Sequence, residues 1–225
     1  RASNNHEAEI ALLEKVLPTL EISINQTNCL VNLAYAFKDD KRSEDGLKLL
    51  ERRLQEIEED EEKLILFKAT ADLEKDLGNN LMSALCKEKA VQLKPDDNDL
   101  LFDAAYSQSN ASLRPLSICN YSTLITLDKD NSTALNNLGV CFAEHKLEIK
   151  AHDYYKQSME LGETLANSNL GYKLLEVGFH EHAEKLAEEG LKENQPHKNL
   201  FSLLAKIDEK REAENGKWSE IKKKS

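Results

Sequence analysis

Apolar residues along this chain recur at intervals of three and four over long stretches, with polar residues between them. No stretch alternates strictly from one residue to the next, so the pattern predicts helices throughout and no strands. Turn-forming residues interrupt the periodicity at Gly78-Asn79-Asn80, Lys94-Pro95-Asp96-Asp97, Gly178 and Gln195-Pro196, where consecutive helices must reverse.

A second pattern lies beneath the first. Asn137-Leu138-Gly139 and Asn169-Leu170-Gly171 are 32 residues apart, and twelve residues after each glycine stands an alanine, Ala151 or Ala183. Seven further on comes Ser158 or Gly190. Small residues at fixed places on two successive helices let the backbones approach closely, with Leu135, Leu138, Phe142 and Tyr155 filling the space around the contact. Projected back by 34 the register meets Ala105, Ser117 and Leu124, by another 34 Ala71, Ser83 and Ala90, and by 37 Ala34 and Gly46. The chain is thus expected to hold five helical hairpins over 27–63, 64–97, 98–131, 132–163 and 164–197. The three extra residues of the first fall near the acidic run 58–62, where an insertion in a turn costs little. Residues 1–26 read as a partial repeat, with a helix over 7–22 kinked at Pro18. Residues 198–215 read as a solvating cap helix, and 216–225 as a frayed basic tail. The start at Arg1 suggests a piece excised from a longer chain.

Leu135-x₂-Leu138-Gly139-x₂-Phe142 followed by Ala151-x₃-Tyr155 resembles the tetratricopeptide repeat, and Leu170-Gly171-x₂-Leu174 with Ala183 is a second match; Pro95 occupies the late proline slot of its unit. The resemblance covers about residues 27–197. It implies an all-α, right-handed superhelical solenoid of helix-turn-helix repeats with a C-terminal cap helix. It departs from the pattern in 98–131, where Gln108 stands at the aromatic slot and Ser117 at the alanine slot, and that hairpin is expected to be irregular or to end its first helix early.

In the family the first helix of each hairpin lines a concave groove, and the residue before the leucine slot points into it. Here that slot holds Asn32, Ala69, Asp103, Asn137 and Asn169. An amide offers both a donor and an acceptor to an extended peptide backbone, so the row resembles the asparagine ladder of superhelical repeat proteins. Tyr35, Phe102, Tyr106, Val140 and Tyr172 lie within a turn of it and supply candidate pockets. The competing reading makes the asparagines solvated and the aromatics core. The family's carboxylate clamp is not expected, because Val31 and Tyr35 hold its slots.

Composition narrows the partner. The 225 residues carry 41 Asp and Glu against 30 Lys and Arg, a net charge of −11, which disfavours nucleic acid and anionic membranes and favours a neutral or basic protein segment. The acidic run 58–62 reads more simply as a solvated helix end. Four separated cysteines, Cys29, Cys86, Cys119 and Cys141, form no metal or disulfide pattern and read as reduced, buried thiols of a cytoplasmic protein. Four N-x-[ST] sequons begin at Asn25, Asn110, Asn120 and Asn131, too few above chance to place the protein elsewhere. No phosphate loop, nucleophile elbow or zinc motif occurs. His180 and His182 point about 200° apart on a helix and cannot easily share an ion. The expectation is a non-enzymatic scaffold without metal or cofactor that binds a protein or peptide, with self-association as a further mode. The alternative is a regulatory segment of a larger enzyme or signalling ATPase.

Overall fold

The structure, a computed structural model, describes residues 3–21 and 23–224; the sequence expectations for residues 1, 2, 22 and 225 fall outside it. Twelve α-helices and one short 3-10 turn make up the secondary structure of the described residues. The chain divides into two compact units, residues 1–127 and 128–225. No described helix is long and apolar enough to cross a membrane.

The first unit holds α1 (Ser3–Val16), the 3-10 turn Leu17–Thr19, α2 (Ile24–Asp39), α3 (Ser43–Glu56), α4 (Asp60–Asp76), α5 (Asn80–Leu93), α6 (Asn98–Asn110) and α7 (Arg114–Leu127). The expected kinked helix over 7–22 does not form. Pro18 has no N–H to continue an α-helix, so α1 stops at Val16 and the chain tightens into the 3-10 turn. In the second unit come α8 (Ser132–Glu144), α9 (Glu148–Glu160), α10 (Thr164–Glu176), α11 (His180–Gly190) and α12 (Asn199–Lys224). Within each unit consecutive helices pack against one another, pairing α2 with α3, α4 with α5, α6 with α7, α8 with α9 and α10 with α11.

Each pair closes on the small residues. A Cβ on Gly46 of α3 would stand 2.8 Å from the Ala34 carbonyl oxygen of α2, and one on Gly139 of α8 would stand 2.8 Å from the Tyr155 ring of α9. In the third pair Ser117 Oγ donates to the Ala105 carbonyl at 2.8 Å, so the hydroxyl that replaces alanine is satisfied by the helix it touches. Ala71 and Ser83 are likewise buried in the second pair.

The turns keep the same register. A left-handed residue stands seven positions after each first small residue, at Lys41, Gly78, Ser112, Lys146 and Gly178, with φ between 61° and 91°. Hairpin length is therefore constant, and the varying repeat interval falls between hairpins. The three extra residues of the first interval are not in a turn. They lengthen α4, together with one residue taken from the join, which is 57–59 here against 94–97 and 128–131 later. α4 has 11 residues ahead of Ala71 where α6, α8 and α10 have 7 ahead of Ala105, Gly139 and Gly171. That added turn carries Glu62, buried rather than solvated. Its carboxylate accepts from Arg53 Nη2 at 3.0 Å and from the Thr27 hydroxyl, while Arg53 Nε donates to Thr27 Oγ1 at 3.1 Å. Asp60, Glu61 and Glu62 also favour the positive end of the α4 dipole.

The third hairpin is regular, contrary to expectation, and α6 runs its full length to Asn110. Gln108 fills the aromatic slot by joining a second buried polar node. Its Nε2 donates to Glu88 Oε2 at 2.7 Å, and Asn120 Nδ2 donates to both Glu88 Oε2 at 2.8 Å and Gln108 Oε1 at 3.0 Å. Neither Gln108 nor Asn120 leaves a buried side-chain atom without a partner, so burial costs little. Asn120, one of the sequon asparagines, is consumed there.

The cysteines depart from expectation. Cys141 is buried, Cys29 and Cys86 are half-buried, and Cys119 is exposed. Burial, then the nearby Glu74 and Glu51 carboxylates, pushes the Cys86 thiol up to about 11.

α12 caps the second unit. Leu200, Leu203 and Ile207 are buried with Leu175, Ala183 and Ala187. Lys210 Nζ donates to the Leu175 carbonyl at 2.8 Å, adding a second, charged donor to an oxygen near the end of α10 that also accepts from the Gly178 N–H at 3.3 Å. Both Arg211 terminal nitrogens donate to the Glu184 carboxylate on α11, Nη1 at 2.7 Å. The helix does not end near residue 215 but continues through Gly216 to Lys224. One glycine costs only about 1 kcal/mol in a helix, and strong helix formers flank this one.

These contacts have four measurable consequences. Gly46→Ala should lower stability by about 1–3 kcal/mol in urea unfolding, because the Ala34 carbonyl cannot yield. Gly216→Ala, with nothing within 4 Å, should instead raise helicity by circular dichroism. Arg53→Met should cost about 3–5 kcal/mol by stranding Glu62, and Arg53→Met with Glu62→Leu should recover most of that. The hydrogen bond from Arg211 holds the Glu184 carboxyl below its usual range. A depressed carboxyl contributes its stability above the ordinary carboxylate pKa, about 4.3, and loses it as pH falls through the lowered value. Hydrogen exchange across the α11–α12 contact should therefore rise below about pH 4, and Glu184→Gln should flatten that dependence.

Candidate functional site

The second-unit positions expected to face a groove lie on α8 and α10, one residue ahead of the buried Leu138 and Leu170. Asn137 and Asn169 are both half-buried. They are linked by a third amide, which the repeat register does not single out: Asn169 Nδ2 donates to Asn136 Oδ1 at 2.8 Å, and Asn136 Nδ2 donates to Asn137 Oδ1 at 3.2 Å. Asn136 is 1% exposed, so this bond ties α10 to α8 across the hairpin repeat. The bond uses one Asn169 N–H; an amide of this kind has a second N–H and an acceptor oxygen besides.

Val140, Asn169 and Tyr172 come together around one cavity of about 320 Å³, with Glu144, Lys146 and Lys173 at its rim. Tyr155 of α9 forms part of the same wall. Its hydroxyl is pushed above the ordinary tyrosine range, first by burial and then by the Glu148, Cys141 and Glu144 groups, so it stays protonated. Tyr155 and Lys173 also border a second cavity of about 270 Å³ between α9 and α10, lined chiefly by Ala151, Leu170, Leu174 and Val177. Lys173 lies 3.9 Å from Glu148 and 3.7 Å from Glu176. The doubled Asn136-Asn137 pair and the lysine after Tyr172 were the readable signals for this site.

In the first unit the candidates fall in two places. On α2, Asn32 is exposed and Tyr35 half-buried, with the Tyr35 hydroxyl donating to Asp72 Oδ2 of α4 at 2.9 Å. Burial and then that carboxylate push the phenol upward, and the Lys38 ammonium sits 5.8 Å from the ring centroid. On α6, Phe102 packs edge-on against the buried Tyr121 and parallel to Tyr106, whose ring is half exposed. Asp103 is exposed, 4.0 Å from Lys87 Nζ. Between them in the register stands Ala69, 1% exposed, so no continuous amide row exists in this unit.

Among the described residues no group of three His, Cys, Asp or Glu side chains could hold a metal ion. His182 packs edge-on against Phe179. What these surfaces offer is a shallow apolar floor, amide donors and acceptors, and a mixed-charge rim, which together suit reversible contact with a polypeptide.

No family model matches the chain, and no curated protein does. Solved structures do. The crystal structure of MamA superposes with a TM-score of 0.62 at 14% identity, over 74% of this chain and 90% of that one. MamA 41-end from Desulfovibrio magneticus RS-1 gives a TM-score of 0.59 at 13% identity, over 74% and 93%. YrrB, a TPR protein with an unusual peptide-binding site, gives 0.59 at 15% identity, over 77% and 89%. With the all-helical pairing and the small-residue register, these likenesses show that the chain has the tetratricopeptide-repeat fold, an all-α helical solenoid.

Proposed function

We propose that this chain is a non-enzymatic protein-interaction scaffold, and that its second unit takes an extended peptide or partner segment along α8 and α10. The observation that carries the reading is the convergence of Val140, Asn169 and Tyr172 on one cavity from two successive first helices. An extended strand repeats its side chains on one face every second residue, so one apolar side chain would fill the cavity while its backbone meets the amides. Filling the cavity contributes about 1.5–3 kcal/mol and each amide bond about 0.5–1.5 kcal/mol. Affinity in the micromolar range therefore needs several such contacts. Asn32, Tyr35, Phe102, Asp103 and Tyr106 are proposed as further contacts on the first unit. The similarity in fold to YrrB supports the peptide-binding mode.

The overall charge of −11 supports a neutral or basic segment over nucleic acid or an anionic membrane. The reading places the protein in the cytoplasm, where an exposed thiol such as Cys119 stays reduced.

Selection of the full chain against a displayed library of ten-residue peptides supplies the probe. The best binder should lose about tenfold or more in affinity by calorimetry on Tyr172→Ala, while Leu12→Ala on the exposed face of α1 should leave it unchanged. Equal binding by the two folded variants would reject the groove.

A further inference from the structure

α12 is twice as long as the helix it caps, with 26 residues against 13 in α10 and 11 in α11. Its buried stripe, Leu200, Leu203 and Ile207, continues in steps of three and four through Arg211 and Glu214 to Trp218 and Ile221. Those last two are 55% and 58% exposed although they share the face that is fully buried at the start of the helix. Four lysines surround them, Lys217, Lys222, Lys223 and Lys224, against the single Glu220, a balance of +3 over 217–224. A solvated cap needs no tryptophan there, and at about 1.5 Å per residue the helix runs on for roughly 20 Å beyond Arg211.

The opposite charge is carried by the chain itself. Residues 1–127 hold 23 acidic against 15 basic side chains, a balance of −8. Its densest exposed cluster is Glu58, Glu59, Asp60 and Glu61 at the start of α4, offset only by Lys63, beside the half-buried Ile57. The local balance of −3 matches the +3 of the α12 stripe, and the acidic cluster is bordered by Ile57, whose other side packs against the core of its own unit. Two α12 stripes would repel one another by their lysines.

We propose that the distal half of α12 is a docking helix for a second copy of this chain, seated head to tail on the acidic start of that copy's α4. Such a contact is heterologous, so each copy keeps one donor and one acceptor patch and the assembly grows with concentration.

Trp218 is the only tryptophan, so its emission reports the contact directly. Light scattering and tryptophan emission of the full chain would be followed across a concentration series at 20 mM and 500 mM salt. At low salt the mass should rise while the emission shifts to the blue; at high salt the affinity should fall by about tenfold or more. Lys222→Glu, Lys223→Glu and Lys224→Glu together should leave a monomer, as should Glu58→Lys, Glu59→Lys and Glu61→Lys together. Mixed one to one, the two variants present two complementary pairs of patches, the native α12 on the native α4 and the reversed α12 on the reversed α4. The mixture should therefore regain at low salt the association that neither variant shows alone. A constant monomer mass at low salt overturns the proposal, as does association that survives either reversal. Blue-shifted emission with phosphatidylserine vesicles at constant protein mass would overturn it in favour of a lipid surface. Should the α4 variant fail to fold by circular dichroism, the α12 variant decides alone, because its changes lie beyond every core contact.

Discussion

The fold depends on one contact repeated five times, the close approach of two antiparallel helices at a pair of small residues twelve positions apart. At Gly46 the approach is so tight that a single added carbon would meet a backbone oxygen. Backbones that close leave the larger side chains, Leu50, Leu73, Leu101, Leu138 and others, to fill the flanks of each pair, where they are fully buried. The left-handed residue seven positions after the first small one is the same constraint seen at the turn. Once the crossing point and the turn are fixed, the length between them is fixed too.

This explains which features could be read from the chain. The crossing points depend on residue size at a regular spacing, and size is visible in sequence, so Ala34, Ala71, Ala105, Gly139 and Gly171 mark the first helices directly. The polar nodes were hidden because they depend on residues distant in the chain meeting in pairs and triads. Gln108 read alone looked like a defect; beside Glu88 and Asn120 it is a satisfied interior group. Glu62 looked solvated because its four neighbours are, and only the placement of Arg53 and Thr27 buries it. The full length of α12 is not legible in the sequence, because nothing apolar packs on its distal half and only the strong helix formers around Gly216 sustain it.

The candidate site divides along the same line. The positions before each leucine were legible because they follow from the register, and Val140, Asn169 and Tyr172 do meet at one cavity. Asn136 was not, since it belongs to the face that ties α8 to α10 rather than to the slot the family pattern names. That tie has a physical consequence: hydrogen bonds to Asn136 restrain the Asn137 and Asn169 side chains, which lowers the entropy either would lose in any further contact.

Because every hairpin keeps its internal spacing and the irregularity is confined to the joins, the chain is naturally modular. Cuts at residues 57–59 or 161–163 would separate whole hairpins without shifting any small residue from its mate. A laboratory shuffling such blocks, or a genome duplicating them, could lengthen or shorten the array and alter what it grips while keeping each hairpin's crossing point. The new neighbour must then supply partners for the buried groups that span a join, as Glu62 does for Arg53.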